Sequence, residues 1–140
     1  MFLARNLARE HNDTASLASA AYGLAETLVF SGAFTLAKTV VDTTTRPPIT
    51  KETAGMVCAT LASPQALLVA ARGDDPRAPF DEATDIADQF GLIHEVDPYG
   101  FSFGPTTVGI RRIGAALELG DVDEAMRSVR VIRPEQNPAR

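Results

Sequence analysis

Between Tyr99 and Ile132 the sequence YGFSFGPTTVGIRRIGAALELGDVDEAMRSVRVI sets a helix, a stop and a second helix in one uninterrupted stretch. Pro105, directly after Gly104, opens the first helix, because proline's missing N–H costs nothing where that group has no intrahelical partner. Gly120 ends it. Asp121 then caps the second helix, with Glu124 three residues on in a variant of the capping box. Such a unit can bury its apolar side only against a neighbour of the same kind, so the rest of the chain is expected to supply more helical hairpins.

Composition agrees. Hydrophobic residues make up 45% of the 140, enough for a real core, while aromatics are only 6% and Trp is absent. Small side chains that let helices approach closely therefore take the place of a thick aromatic core, which favours an all-α fold in a single domain spanning residues 1–140.

The opening FLARNLAREHND, with Leu3 and Leu7 one turn apart, predicts a short amphipathic helix. Asn12 and Asp13 cap LASAAYGLAETLVF, which carries Leu17, Ala21, Leu24 and Leu28 at helical spacing until Ser31 and Gly32. AFTLAKTVVDTT follows, with Phe34, Ala37 and Val41 on one side, and Arg46-Pro47-Pro48 ends it. A long apolar segment from about Lys51 to Arg72 contains Pro64, which predicts a kink or a break with Ser63 recapping. Gly73 to Pro76 form a turn, and Phe80, Ala83, Ile86, Ala87 and Phe90 define a helix over Ala78 to Phe90. The connection GLIHEVDPYGFSFG loses periodicity, and its Tyr99, Phe101 and Phe103 need burial somewhere. Residues 133–140 are a polar tail expected to fray.

Aligning the turns exposes a repeat. Gly32 is followed by Phe34, Ala37 and Val41, and Gly120 by Val122, Ala125 and Val129, so both share an apolar residue at +2, a small one at +5 and an apolar one at +9. That is the turn and second helix of a tetratricopeptide repeat, in which the small residue lets the helices cross closely. The unit at Gly73 is a poorer copy packed through Phe80, Ala83 and Ala87. The turn glycines lie 41 and 47 residues apart, against ~34 in the standard repeat. The fold expectation is thus all-α: stacked antiparallel hairpins in a degenerate tetratricopeptide-like α-solenoid of about three units.

FSFGPTTVGIRRIGAALELGDVDEAMRSV resembles the carboxy-terminal tetratricopeptide-like region of actinobacterial XRE-family helix-turn-helix regulators, with a looser, colinear likeness over Leu7 to Gly91 in AYGLAETLVFSGAFTLA and LLVAARGDD. The family motif has Asn where Thr107 stands and His where Arg111 stands, and its DNA-binding domain has no counterpart in this chain. The resemblance implies a regulatory, ligand- or partner-sensing role without catalysis.

Charge and motifs narrow the function classes. Residues 71–140 carry thirteen acidic and eight basic groups within a net charge of −5, and Asp74 to Asp97 hold eight acids against Arg77 alone, so phosphate is repelled and direct nucleic-acid binding is not expected. LVFSGAFTLAKTVV is two helices around a glycine, yet its second helix offers only Lys38 to a DNA backbone. Cys58 within MVCATLA reads as a small buried thiol, and a single cysteine forms no internal disulfide. No secretory leader is visible and no apolar run of membrane-spanning length stands out, so a soluble cytoplasmic protein is expected. His11 and His94 lack partners at metal-ligand spacing, no Walker A, dinucleotide or nucleophile-elbow pattern occurs, and no cofactor is expected. Asp81/Glu82 and Asp123/Glu124 are read as first-turn charges that favour the helix dipole.

In such an array the first helix of each unit builds the inner face used for peptides or other ligands. Counting back from the turn glycines selects Tyr22, Glu26 and Val29, then Ser63, Leu67 and Ala70, then Ile110, Gly114 and Leu117, with Arg111 and Arg112 flanking the last unit. The partner expected there is a peptide, a small effector or a protein. An alternative is a self-assembling scaffold or homodimer joined through uncapped array ends, or a truncated regulator that pairs with an intact homologue.

Overall fold

The computed structural model describes residues 13–92 and 103–131, and every element in them is a helix, as the sequence predicts. The expected helix over Leu3 and Leu7, the cap at Asn12, His11, His94, Tyr99, Phe101 and the tail lie outside the described residues. Helix α1 spans Thr14–Phe30 and α2 Phe34–Thr43. Helix α3 runs continuously over Ala54–Ala71, α4 over Arg77–Phe90, α5 over Pro105–Glu118 and α6 over Val122–Val131. α1 packs on α2, α3 on α4 and α5 on α6, giving three antiparallel hairpins, while α3 touches both α1 and α5.

The hairpin turns share one backbone solution. In each, the glycine N–H bonds the carbonyl three residues back and the next N–H reaches five back: Gly32 to Val29 and Ala33 to Leu28, Gly73 to Ala70 and Asp74 to Val69, Gly120 to Leu117 and Asp121 to Ala116. These are Schellman closures. They require a left-handed residue, and the three glycines have φ of 82°, 80° and 74°.

The side-chain half of the repeat is different from the expected one. Ala37 and Ala125, at +5 from their glycines, are buried, and Val41 at +9 packs against the α1–α2 core, but Phe34 and Val122 at +2 are 45% and 62% exposed, and Val129 at +9 is 50% exposed. The buried face continues instead through +8, Val40 and Ser128. A short second helix laid against its first buries an i, i+3 stripe, so +2 falls outside it in both units and +9 stays at its edge, packed for Val41 and exposed for Val129.

Pro64 neither breaks α3 nor starts a new helix. A π segment at Leu61–Gln65 absorbs it, with the Ala66 N–H reaching the Leu61 carbonyl five residues back. The wider turn makes room for the pyrrolidine ring beside the carbonyl it would crowd in an α-helix, at a residue with no N–H to donate. Ser63 is therefore not a cap, and its hydroxyl is available for another bond. α3 is also long and apolar enough, by length and composition, to cross a membrane, contrary to the sequence expectation; 72% of it is buried inside the fold. Its composition follows from its position between the outer hairpins.

The principal core joins Met56, Leu61 and Cys58 of α3 to Phe80 and Ile86 of α4, Val108 of α5 and Phe103. Phe103 thus finds the burial its sequence demanded. A second cluster holds Leu24, Ala25 and Val40 between α1 and α2, and a third holds Val29, Ala37 and Leu68. Ser128 is 2% exposed and its hydroxyl has no hydrogen-bond partner. Removing an unsatisfied buried hydroxyl relieves a desolvation cost, so Ser128→Ala is expected to raise stability by about 1 kcal/mol in urea denaturation.

Candidate ligand-recognition site

Tyr22 and Glu26 stand one turn apart on α1, so the phenol donates to Glu26 Oε2 at 2.6 Å. Ser63 arrives from the π segment of α3, fully buried, and its hydroxyl donates to the same oxygen at 2.8 Å. Two donors from two helices thus converge on one carboxylate oxygen, and bonds to an ionised acceptor are the stronger kind. Arg111 of α5 is close enough for its charge to act on Tyr22.

Electrostatics fix the state of the phenol. Burial raises the Tyr22 pKa most, and the hydrogen bond to Glu26 and that carboxylate's charge raise it further, against the opposing Arg111 charge. Tyr22 is a proton donor at neutral pH. Ser63 has no exposed surface and is committed to Glu26. The cluster presents a carboxylate held by two donors beside a cation, an arrangement suited to orienting a polar or charged ligand group.

The other residues selected from sequence separate. Val29 is buried with Ala37 and Leu68, and Leu67 packs against that cluster, so Val29 offers no surface to a ligand. Ile110 and Leu117 are 50% and 59% exposed. Gly114 lies between them on the same line of α5, with open space above its Cα. Ala70 is half-buried.

Helical geometry keeps Arg111 and Arg112 from both facing inward, and Arg112 is the one turned toward α4 and α6. Its guanidinium lies over the Phe80 ring at 5.4 Å, contacts Asp81 Oδ1 at 2.9 Å and approaches Glu124 Oε1 at 3.6 Å, and its side chain is 17% exposed. It ties α4, α5 and α6 together. Successive helical residues point about 100° apart, which sends Arg111 and Arg112 to different neighbours. The signal in the sequence was the pair of acids, Asp81 and Glu124, waiting on flanking helices.

That pairing also corrects the reading of the acidic pairs. Asp81 and Glu82 lie beyond the first turn of α4, which begins at Arg77, and they hold Arg112 and Arg46 respectively. Asp123 and Glu124 do occupy the first turn of α6. Asp121 caps it through the Glu124 N–H at 3.0 Å, but the Glu124 carboxylate turns to Arg112 and to Arg127 at 2.8 Å rather than back to the cap.

Cys58 is buried, and its S–H donates to the Ala83 carbonyl at 3.3 Å. Burial, with a smaller contribution from Glu82, pushes the thiol up to about 12, so it is protonated and unreactive at neutral pH. Among the described residues no group of three or more His, Cys, Asp or Glu is placed to hold a metal.

Comparison of this chain with protein-family models, with curated proteins and with solved structures gives no match.

Proposed function

We propose that this protein is a non-catalytic recognition module, a tetratricopeptide-like array of three hairpins that binds a peptide, a small effector or a protein partner on the face built by α1, α3 and α5. The observation that carries this reading is the convergence of Tyr22, Glu26 and Ser63, from two of those helices, with the Arg111 charge from the third. A buried or half-buried polar cluster spanning three helices specifies orientation, and the exposed Ile110 and Leu117 of α5 are available for apolar contact. The likeness of Phe101 to Val129 to the regulatory half of XRE-family regulators supports a sensing role. The net acidity of the chain argues against nucleic acid as the direct ligand.

Thermal unfolding in the presence of free amino acids, short peptides and carboxylate metabolites tests it. A ligand at 100 times its dissociation constant is expected to add about 2.7 kcal/mol of stability. Arg111→Gln should abolish that gain while leaving the unliganded Tm within a few degrees. No stabilisation by any member of the panel, or stabilisation that survives Arg111→Gln, would count against the reading.

A specific observation supports self-association as a second reading. Val122, Met126 and Val129 form an i, i+4, i+7 stripe on α6 and are 62%, 50% and 50% exposed. A monomeric mass at high micromolar concentration in light scattering would exclude assembly through that face.

A further inference from the structure

Apart from the polar cluster, a cavity of about 120 Å³ opens between α1, the end of α2 with its connection to α3, and α3 itself. Its origin is steric. α1 turns Ala18, Ala21 and Ala25 toward it, where larger side chains would fill the space. The facing wall is Met56, Val57 and Leu61, and the Tyr22 ring also lines the cavity while its hydroxyl is held by Glu26. The interior is therefore apolar. A cavity of about 150 Å³ with aliphatic and aromatic walls accepts benzene, so this one has the capacity for a single ring that extends partly into the mouth. A flat alanine surface on one side and a polarisable thioether on the other suit a planar aromatic body.

The rest of the lining sets the polar end of the ligand. Among the described residues, Arg46 is the one charged side chain in the lining, and no carboxylate lines the cavity with it. Thr45 and Gln65 add neutral hydrogen-bonding groups. Arg46 pairs with Glu82, yet its side chain remains 43% exposed and its guanidinium has five N–H donors, so it can hold a second carboxylate without releasing the first. Thr44 and Thr60 already donate their hydroxyls to the Val40 and Met56 carbonyls, which leaves Arg46 as the strong donor of the site.

We propose that this cavity is a binding site for a small monocyclic aromatic carboxylate, its ring against Ala18, Ala21 and Met56 and its carboxylate on Arg46. The site shares the Tyr22 ring with the Tyr22–Glu26–Ser63 cluster but takes its ligand's carboxylate on Arg46, and neither Glu26 nor Ser63 is needed for binding.

The test is titration of the isotope-labelled full chain with benzoate, followed by amide shifts and by Tm. At ten times a dissociation constant of ~1 mM, which suits so small a ligand, the expected Tm gain is about 5 °C. Amide shifts should concentrate at Thr45, Arg46, Val57 and Thr60. Acetate, which lacks the ring, and benzylamine, which reverses the charge, should produce neither effect. Arg46→Gln should weaken benzoate about tenfold, and Ala18→Leu, which fills the cavity, should remove binding. If Ala18→Leu does not fold, the map of shifts on the wild-type chain decides. Absence of saturable binding, shifts centred elsewhere, or toluene binding as tightly as benzoate with no effect of Arg46→Gln would each overturn the proposal.

Discussion

Phe80→Ala is expected to lower the unfolding free energy by about 3–5 kcal/mol, the range for deleting a fully enclosed phenyl ring. The ring is 1% exposed and heads the largest fully buried side chains, in the core that joins α3, α4 and α5. It also carries the Arg112 guanidinium, whose face-on contact at 5.4 Å is lost with the ring. Arg112 keeps Asp81 and Glu124, so the loss comes from the cavity and the missing contacts rather than from a stranded charge. Urea denaturation followed by circular dichroism measures it. A loss below 1 kcal/mol would mean that the α3–α4–α5 core is not packed around this ring.

Gly104→Ala is expected to cost about 3 kcal/mol or more, for a reason unrelated to glycine's dihedral freedom. The backbone at Gly104 is extended, with φ −148° and ψ −166°. A Cβ there would lie 1.8 Å from the Leu92 carbonyl oxygen and 2.9 Å from its carbon. Both are main-chain atoms, so the clash is relieved only by moving the start of α5 or Leu92, two residues after α4. Gly114→Ala is the internal control. Nothing lies within 4 Å of its added Cβ, and the position is in an exposed helical stretch. It should gain about 0.5–1 kcal/mol, as glycine-to-alanine replacements in helices do. Opposite signs from two glycines ten residues apart would separate close approach from helix propensity. Equal effects would contradict the Leu92–Gly104 contact.

Features fixed by local backbone chemistry were legible in the sequence. Gly32, Gly73 and Gly120 marked the hairpin turns because each needs a left-handed residue, and Asp13 and Asp121 marked helix starts because their carboxylates accept the free N–H groups of Ser16 and Glu124. Pro105 and the burial of Phe103 and Cys58 followed from equally short-range arguments. What escaped depends on three-dimensional neighbours. Val122 and Val129 carry the residue types of a buried face but fall outside the i, i+3 stripe that α6 turns toward α5. Pro64 reads as a kink or a break because proline's cost is judged for an α-helix, whereas the chain converts one turn to π geometry and continues as one helix.

The candidate site shows the same division. Helical spacing on α1 placed Tyr22 beside Glu26, so that pair was within reach of a sequence argument. The approach of Ser63 required the π segment to direct its hydroxyl across to Glu26. Arg111 and Arg112 are chemically identical neighbours, and only the positions of Asp81, Glu124 and the Phe80 ring assign Arg112 to a structural tie. The apolar cavity was not visible at all, since three alanines on one helix signal close packing as readily as a void. Close packing and void differ only in how far α3 stands from α1.

The measurement that bears most directly on the recognition proposal is an amide-shift map of the labelled full chain titrated with peptides selected by display against it. The account predicts shifts grouped on Tyr22, Glu26, Ser63, Ile110, Arg111 and Leu117, with affinity falling at least tenfold in Arg111→Gln. Selection that yields no binder, or binders whose shifts fall on Val122, Met126 and Val129 of α6 and are indifferent to Arg111→Gln, would contradict it.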